Sequence, residues 1–127
     1  MSKILVLIVD DEPLIRMDLA DMVEESGYGV LEAADADEAI RLLEAHPAIR
    51  ILVTDIEMPG SMDGLKLAAA VRERWPPVAI IVTSGRVRPG ADELPSEAVF
   101  LGKPYRPVAM SAALATAARS LPAGASK

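Results

Sequence analysis

The feature that most constrains this chain is an alternation. Apolar runs of strand length are separated, from end to end, by segments with helical spacing. Residues 4–9 form the longest uninterrupted apolar run. A strand that is apolar on every residue needs cover on both faces, as in a parallel sheet flanked by helices. Residues 13–26 follow, with Leu14, Met17, Ala20/Asp21 and Val23 at helical spacing and Gly27 where a helix ends. Residues 28–33 read as a second strand. Asp35 with Glu38 resembles a capping box, opening a helix that runs to about His46. Residues 49–54 read as a third strand and 65–75 as a third helix, stopped by Pro76-Pro77. Residues 78–83 and 98–101 supply two more strands. A last helix over 107–121 carries Met110, Ala113/Leu114, Ala117 and Leu121 on one face.

This order predicts one doubly wound α/β domain with a five-stranded parallel sheet. The domain is expected over residues 1–121, with 122–127 as a short frayed tail. One stretch breaks the pattern. Residues 84–97 contain Pro89-Gly90 and Pro95 and show no apolar face. A loop with at most one helical turn is expected there, in place of a full fourth helix.

Composition narrows the function. The chain has no cysteine, which excludes a disulfide framework, a thiolate metal site and a cysteine nucleophile. A formal net charge of -6 with 3% aromatics argues against direct nucleic-acid binding, which needs clustered cations or stacking platforms. The 4–9 run is too short to span a bilayer and is followed by Asp10-Asp11-Glu12, not a cleavage site. No membrane association is expected, and the default location is the cytoplasm.

In open parallel sheets, ligands bind beyond the carboxyl ends of the strands. Asp10 and Asp11 follow the first strand and Asp55 ends the third. Thr83-Ser84-Gly85 ends the fourth, and Lys103 follows the fifth. Carboxylates, a hydroxyl and an ammonium thus converge at one edge. Crowded carboxylates raise one another's pKa unless a cation is present. An all-oxygen donor set points to Mg²⁺. A carboxylate beside Mg²⁺, a lysine and a threonine can accept a phosphoryl group. Each element also has a plainer reading in isolation: Asp10-Asp11-Glu12-Pro13 as a helix cap, Asp55 as a turn residue, Lys103 as a solvated lysine, Glu57 as a loop acid. His46, the sole histidine, reads as a surface residue at a helix end. Asp35, Asp37 and Glu38 lack the spacing of a calcium loop.

With VDDEP (9–13), TDIEMPG (54–60), MDGL (62–65), VTS (82–84) and FLGKPY (100–105) in this order, the chain resembles the receiver domains of two-component response regulators. The resemblance covers nearly the whole chain. It implies a flavodoxin-like sheet of order 2-1-3-4-5 and phosphorylation of Asp55 by a histidine kinase or histidine phosphotransfer protein. It implies Mg²⁺ on Asp10, Asp11, Asp55 and the backbone carbonyl of Glu57. Thr83 and Lys103 would contact the phosphoryl group, and Phe100 falls at the family's switch aromatic. The Lys103-Pro104 peptide is often cis in such domains. Two departures stand out: Gly60-Ser61-Met62 is one residue longer than the usual form, and the fourth helix is weakened. The second bears on the family's output face and on a phosphorylation-dependent homodimer.

No output module is expected after residue 121, so signalling by protein binding, phosphorelay or service as a phosphate sink follows. The chain would be no conventional enzyme, but would catalyse its own phosphorylation and dephosphorylation. Three rivals are a pseudo-receiver, a phosphatase of the haloacid dehalogenase type and a flavodoxin-like cofactor binder. The phosphatase needs a second Asp where Glu57 stands. The cofactor binder needs a phosphate-cradling first loop, where Asp10-Asp11 would repel a phosphate.

Overall fold

The computed structural model describes residues 3–58, 60, 62–90 and 92–121. Five strands and four helices appear in chain order: β1 (Leu5–Val9), α1 (Pro13–Glu25), β2 (Gly29–Ala33), α2 (Ala36–Ala45), β3 (Ile49–Asp55), α3 (Gly64–Arg74), β4 (Ala79–Ser84), β5 (Val99–Gly102) and α4 (Pro107–Arg119). The strands form one parallel sheet of order β2-β1-β3-β4-β5. This is the flavodoxin-like, doubly wound architecture, and strand order reverses between β1 and β3.

Period-two alternation sorts the central strands onto two cores. Leu7, Val9, Leu52, Ile80 and Val82 point one way, onto Ala39 and Leu43 of α2 and Leu67 and Val71 of α3. Val6, Ile8, Ile51, Val53 and Ile81 point the other way, onto Leu19 and Val23 of α1 and Met110 and Leu114 of α4. Burying each such side chain contributes roughly 1.5–3 kcal/mol, so a fully apolar strand is stable only with helices on both sides.

The helix ends follow local chemistry. Asp35 accepts from the Glu38 N–H at 2.8 Å, and Glu38 reaches back to the Ala34 N–H at 2.7 Å. The capping box is therefore closed one residue further out than its usual form. Gly27, at φ +98°, supplies the left-handed turn after α1. His46 is exposed at the C-cap of α2, as the sequence suggests.

Leu14 and Met17 lie on α1 at the helical spacing the sequence shows, yet they are 77% and 54% exposed. Leu19, Ala20 and Val23 make the packed face instead. The first turn of α1 stands at the carboxyl edge, where Ile15 lines an open cleft rather than the core. The spacing is helical, but the sheet ends before it can cover this turn.

Between β4 and β5 there is no helix among the described residues; turns at 92–94 and 96–97 carry the chain. The Gly90 N–H donates to Glu93 at 2.7 Å, and the Glu93 N–H returns to the Gly90 carbonyl at 2.9 Å. The expected loop is what forms. Gly60 has φ +105°, but the extra residue read in Gly60-Ser61-Met62 cannot be placed, because Ser61 lies outside the described residues. The same holds for the tail at 122–127.

Candidate functional site

Strand register assembles the site. Val9 pairs with Thr54, Asp55 with Thr83, and Ser84 with Gly102. Asp10 therefore leaves β1 beside Asp55, and Lys103 leaves β5 beside Ser84, donating its backbone N–H to the Ser84 carbonyl at 2.8 Å. The residues meet at the carboxyl edge, against the point where strand order reverses.

Asp10, Asp55 and Thr83 are buried, whereas Asp11 is half-buried. One carboxylate oxygen from each of Asp10, Asp11 and Asp55 lies within 4.8 Å of the other two. Asp10 is held by its neighbours. Its Oδ1 accepts from the Glu12 N–H at 2.9 Å, and Arg16 donates to its carbonyl oxygen at 2.9 Å. Neither Asp10 nor Asp11 caps α1, whose N-cap is Glu12 with no side-chain bond. The segment does start the helix, with Glu12 at the N-cap and Pro13 in the first turn, but the two aspartates do not supply the cap.

Lys103 Nζ sits 3.4 Å from Asp10 Oδ2 and 3.4 Å from Asp55 Oδ2. Asp55 Oδ1 is buried and has no hydrogen-bond partner among the described residues. Burial pushes the Asp55 carboxyl up to about 6; Lys103 pulls it down, while Asp10 and Glu57 add to the rise. Burial alone would lower the Lys103 ammonium, but Asp55 and Asp10 outweigh it and hold its pKa above the usual value. Burial also raises the Tyr105 phenol, so this nearby ring stays neutral. The Lys103-Pro104 peptide is cis.

A buried, unpartnered carboxylate oxygen beside two further acids calls for a proton or a cation. The donors are all oxygen, and one neighbouring acid is open to solvent. This donor set suits a hard divalent ion that keeps part of its water shell, as Mg²⁺ does.

Three features were not legible beforehand. Glu57, read as a solvated loop acid, bonds instead to the Ser84 hydroxyl, and the Gly85 N–H donates to it at 3.3 Å. Ser84 Oγ in turn accepts from the Arg86 and Val87 N–H groups at 3.2 and 2.8 Å. Glu57 thus ties the loop after β3 to the turn after β4. Gly64 is the second feature: a Cβ there would lie 1.9 Å from the Asp55 carbonyl oxygen. The third is the cleft itself, about 420 Å³, walled by acids at Asp11, Glu12, Asp55 and Glu57 and by cations at Lys103 and Arg86. Phe100 is half-buried and packs against the core shared with α2 and α3.

A family model described as the response regulator receiver domain matches residues 6–115. Among curated proteins, the chain is 42% identical over 119 residues to the positive alginate biosynthesis regulatory protein of Pseudomonas aeruginosa, covering 90% of this chain and 47% of that protein. It is 29% identical to the phyllosphere-induced regulator PhyR of Methylorubrum extorquens, covering 88% of this chain and 42% of that one. The chain spans less than half the length of these two relatives. Among solved structures, a response regulator receiver protein from Sinorhizobium medicae is similar with a TM-score of 0.86 at 25% identity, covering 92% of this chain and 95% of that one. The receiver domain of the hybrid histidine kinase CckA is similar with a TM-score of 0.75 at 30% identity, covering 89% and 97%. No helix among the described residues is long and apolar enough to cross a membrane.

Proposed function

This chain belongs to the response regulator receiver domain family, and from that premise we propose that Asp55 is the phosphoacceptor of a two-component signalling switch. The observation that carries the reading is the state of Asp55. It is a buried carboxylate with one unpartnered oxygen, grouped with Asp10 and Asp11 and held by Lys103.

The donor is a phosphohistidine on a histidine kinase or histidine phosphotransfer protein. An Asp55 carboxylate oxygen attacks phosphorus. The O–P bond forms as the P–N bond breaks, and the partner's imidazole leaves with the P–N electron pair. Water later cleaves the acyl phosphate, returning the Asp55 carboxylate and inorganic phosphate. Asp10, Asp11, Asp55 and the backbone carbonyl of Glu57 would hold Mg²⁺, which when bound neutralises charge on the transferring oxygens. Lys103 pairs with the phosphoryl group from the β5 side, and the Thr83 hydroxyl hydrogen-bonds one of its oxygens. Phe100 then follows Thr83, and the turn after β4 rearranges. The switch works in the cytoplasm over residues 1–121, and its output is protein binding, phosphorelay or a phosphate sink. The β4–β5 connection, which carries no helix among its described residues, disfavours the usual homodimer face.

Intact mass after incubation with acetyl phosphate tests this, with and without Mg²⁺, on wild type and Asp55→Asn. A single phosphoryl adduct that needs both Mg²⁺ and Asp55 is expected. Folded protein that gains no adduct from acetyl phosphate or from any histidine kinase would favour the pseudo-receiver instead.

A further inference from the structure

We propose that Arg86 is a second cationic contact for the phosphoryl group on Asp55; this rests on the assignment of Asp55 as phosphoacceptor. Two cations wall the cleft over Asp55, Lys103 and Arg86. Lys103 is already engaged, at 3.4 Å to each of Asp10 and Asp55. The Arg86 side chain is exposed and has no hydrogen-bond or ion-pair partner among the described residues. An arginine that shares a cleft with four acids, Asp11, Glu12, Asp55 and Glu57, without pairing to any is a cation held in reserve. Arg88, two residues on, does not share this position: its guanidinium lies by Gly102, 3.6 Å from where a Cβ would stand.

The backbone of Arg86 is anchored to the site. Its N–H donates to Ser84 Oγ at 3.2 Å, and Ser84 is bonded to Glu57. Ser84 directly follows Thr83 in β4. The base of the side chain is therefore positioned from the strand that carries the switch threonine. The long flexible stem then lets the guanidinium reach over the cleft.

Charge balance supplies the reason. Replacing a carboxylate by an acyl phosphate adds roughly one further negative charge and terminal oxygens that project toward the cleft. Lys103 must already balance two carboxylates. Arg86 offers a planar fork of donors matched to phosphate oxygens, which an ammonium does not. Arg86 thus acts as a selective contact for the phosphorylated state, leaving the metal-binding acids alone.

Beryllium fluoride, a phosphoryl mimic that adds to carboxylates, tests the proposal by calorimetric titration of the Mg²⁺-saturated protein. Wild type, Asp55→Asn, Arg86→Ala and Arg86→Lys are compared, with Mg²⁺ affinity measured separately on each. Arg86→Ala is expected to weaken beryllium fluoride binding about tenfold, with Arg86→Lys recovering part of it and Mg²⁺ affinity unchanged. Equal affinity in wild type and Arg86→Ala overturns the role of Arg86 while leaving Asp55 as the acceptor. A parallel loss of Mg²⁺ affinity also overturns it, because the residue would then be shaping the metal site. Wild type that takes up no beryllium fluoride overturns the acceptor assignment, and this inference with it.

Discussion

Gly64 and Asp55 touch backbone to backbone: a Cβ on Gly64 would stand 1.9 Å from the Asp55 carbonyl oxygen and 2.8 Å from the Ile56 Cα. The Gly64 N–H also donates to the Ile56 carbonyl at 3.0 Å. The first turn of α3 is pressed against the end of β3, and only a residue without a side chain fits. Gly64→Ala must push helix from strand, at the upper end of or beyond the roughly 1–3 kcal/mol typical of overpacking. A fall in urea midpoint of that size is expected, with weaker Mg²⁺ binding because Asp55 moves. A variant as stable as wild type would contradict the close approach.

Asp55 is kept ionised at neutral pH against its surroundings. Burial raises its pKa to about 6 from 3.8, so the folded state holds this proton more tightly than the unfolded chain. The stabilising contribution of the protonated form is fully present below about pH 3.8, is lost as pH rises through 6, and is absent at neutral pH. Asp55→Asn keeps the neutral form at every pH. In Mg²⁺-free buffer it is expected to raise stability at pH 7.5, by up to about 3 kcal/mol, with the gain shrinking toward pH 4. Thermal melts across that range check it. A gain that grows on acidification would reverse the sign.

Lys103 offsets the acids that face it. Removing its charge by Lys103→Met leaves Asp10 and Asp55 together without the ammonium that pairs with both. A loss of roughly 1–3 kcal/mol is expected in Mg²⁺-free buffer, between the values for an exposed and a fully buried pair. The loss should be larger at pH 8 than at pH 5, because the Asp55 pKa climbs further without the lysine. Mg²⁺ should restore more stability to this variant than to wild type, in melts with and without the ion.

Ser84 is the knot between Glu57 and the turn after β4. Ser84→Ala removes the acceptor for the Arg86 and Val87 N–H groups and the donor to Glu57. Faster amide hydrogen exchange at Arg86 and Val87 is expected, with β4 itself protected as before. Unchanged exchange at both amides would mean that the hydroxyl does not order the turn. Ser84→Thr should retain most of the protection, since the hydroxyl is kept.

Much of this protein could be read from its residues. A fully apolar strand, as at residues 6–9, tolerates water on neither face, so the two-sided layering follows from hydrophobicity alone. Acids, a threonine and a lysine at successive strand ends follow from chain order, because parallel strands all finish at one edge. The family resemblance supplied the rank of the strands and the residue roles, which alternation could not.

Tertiary structure decided the remainder, since it depends on distances between segments far apart in sequence. Leu14 has helical spacing but is exposed, because the sheet does not extend over the first turn of α1. Glu57 looks like any loop acid until β4 places the Ser84 hydroxyl and the Gly85 N–H in front of it. Gly64 matches a motif, but its physical reason is the Asp55 backbone against it. Burial shifts the Asp55 pKa, and burial exists only once both helical layers have closed over the sheet. Sequence determines which groups reach the edge; packing determines how dry that edge is and which group holds which.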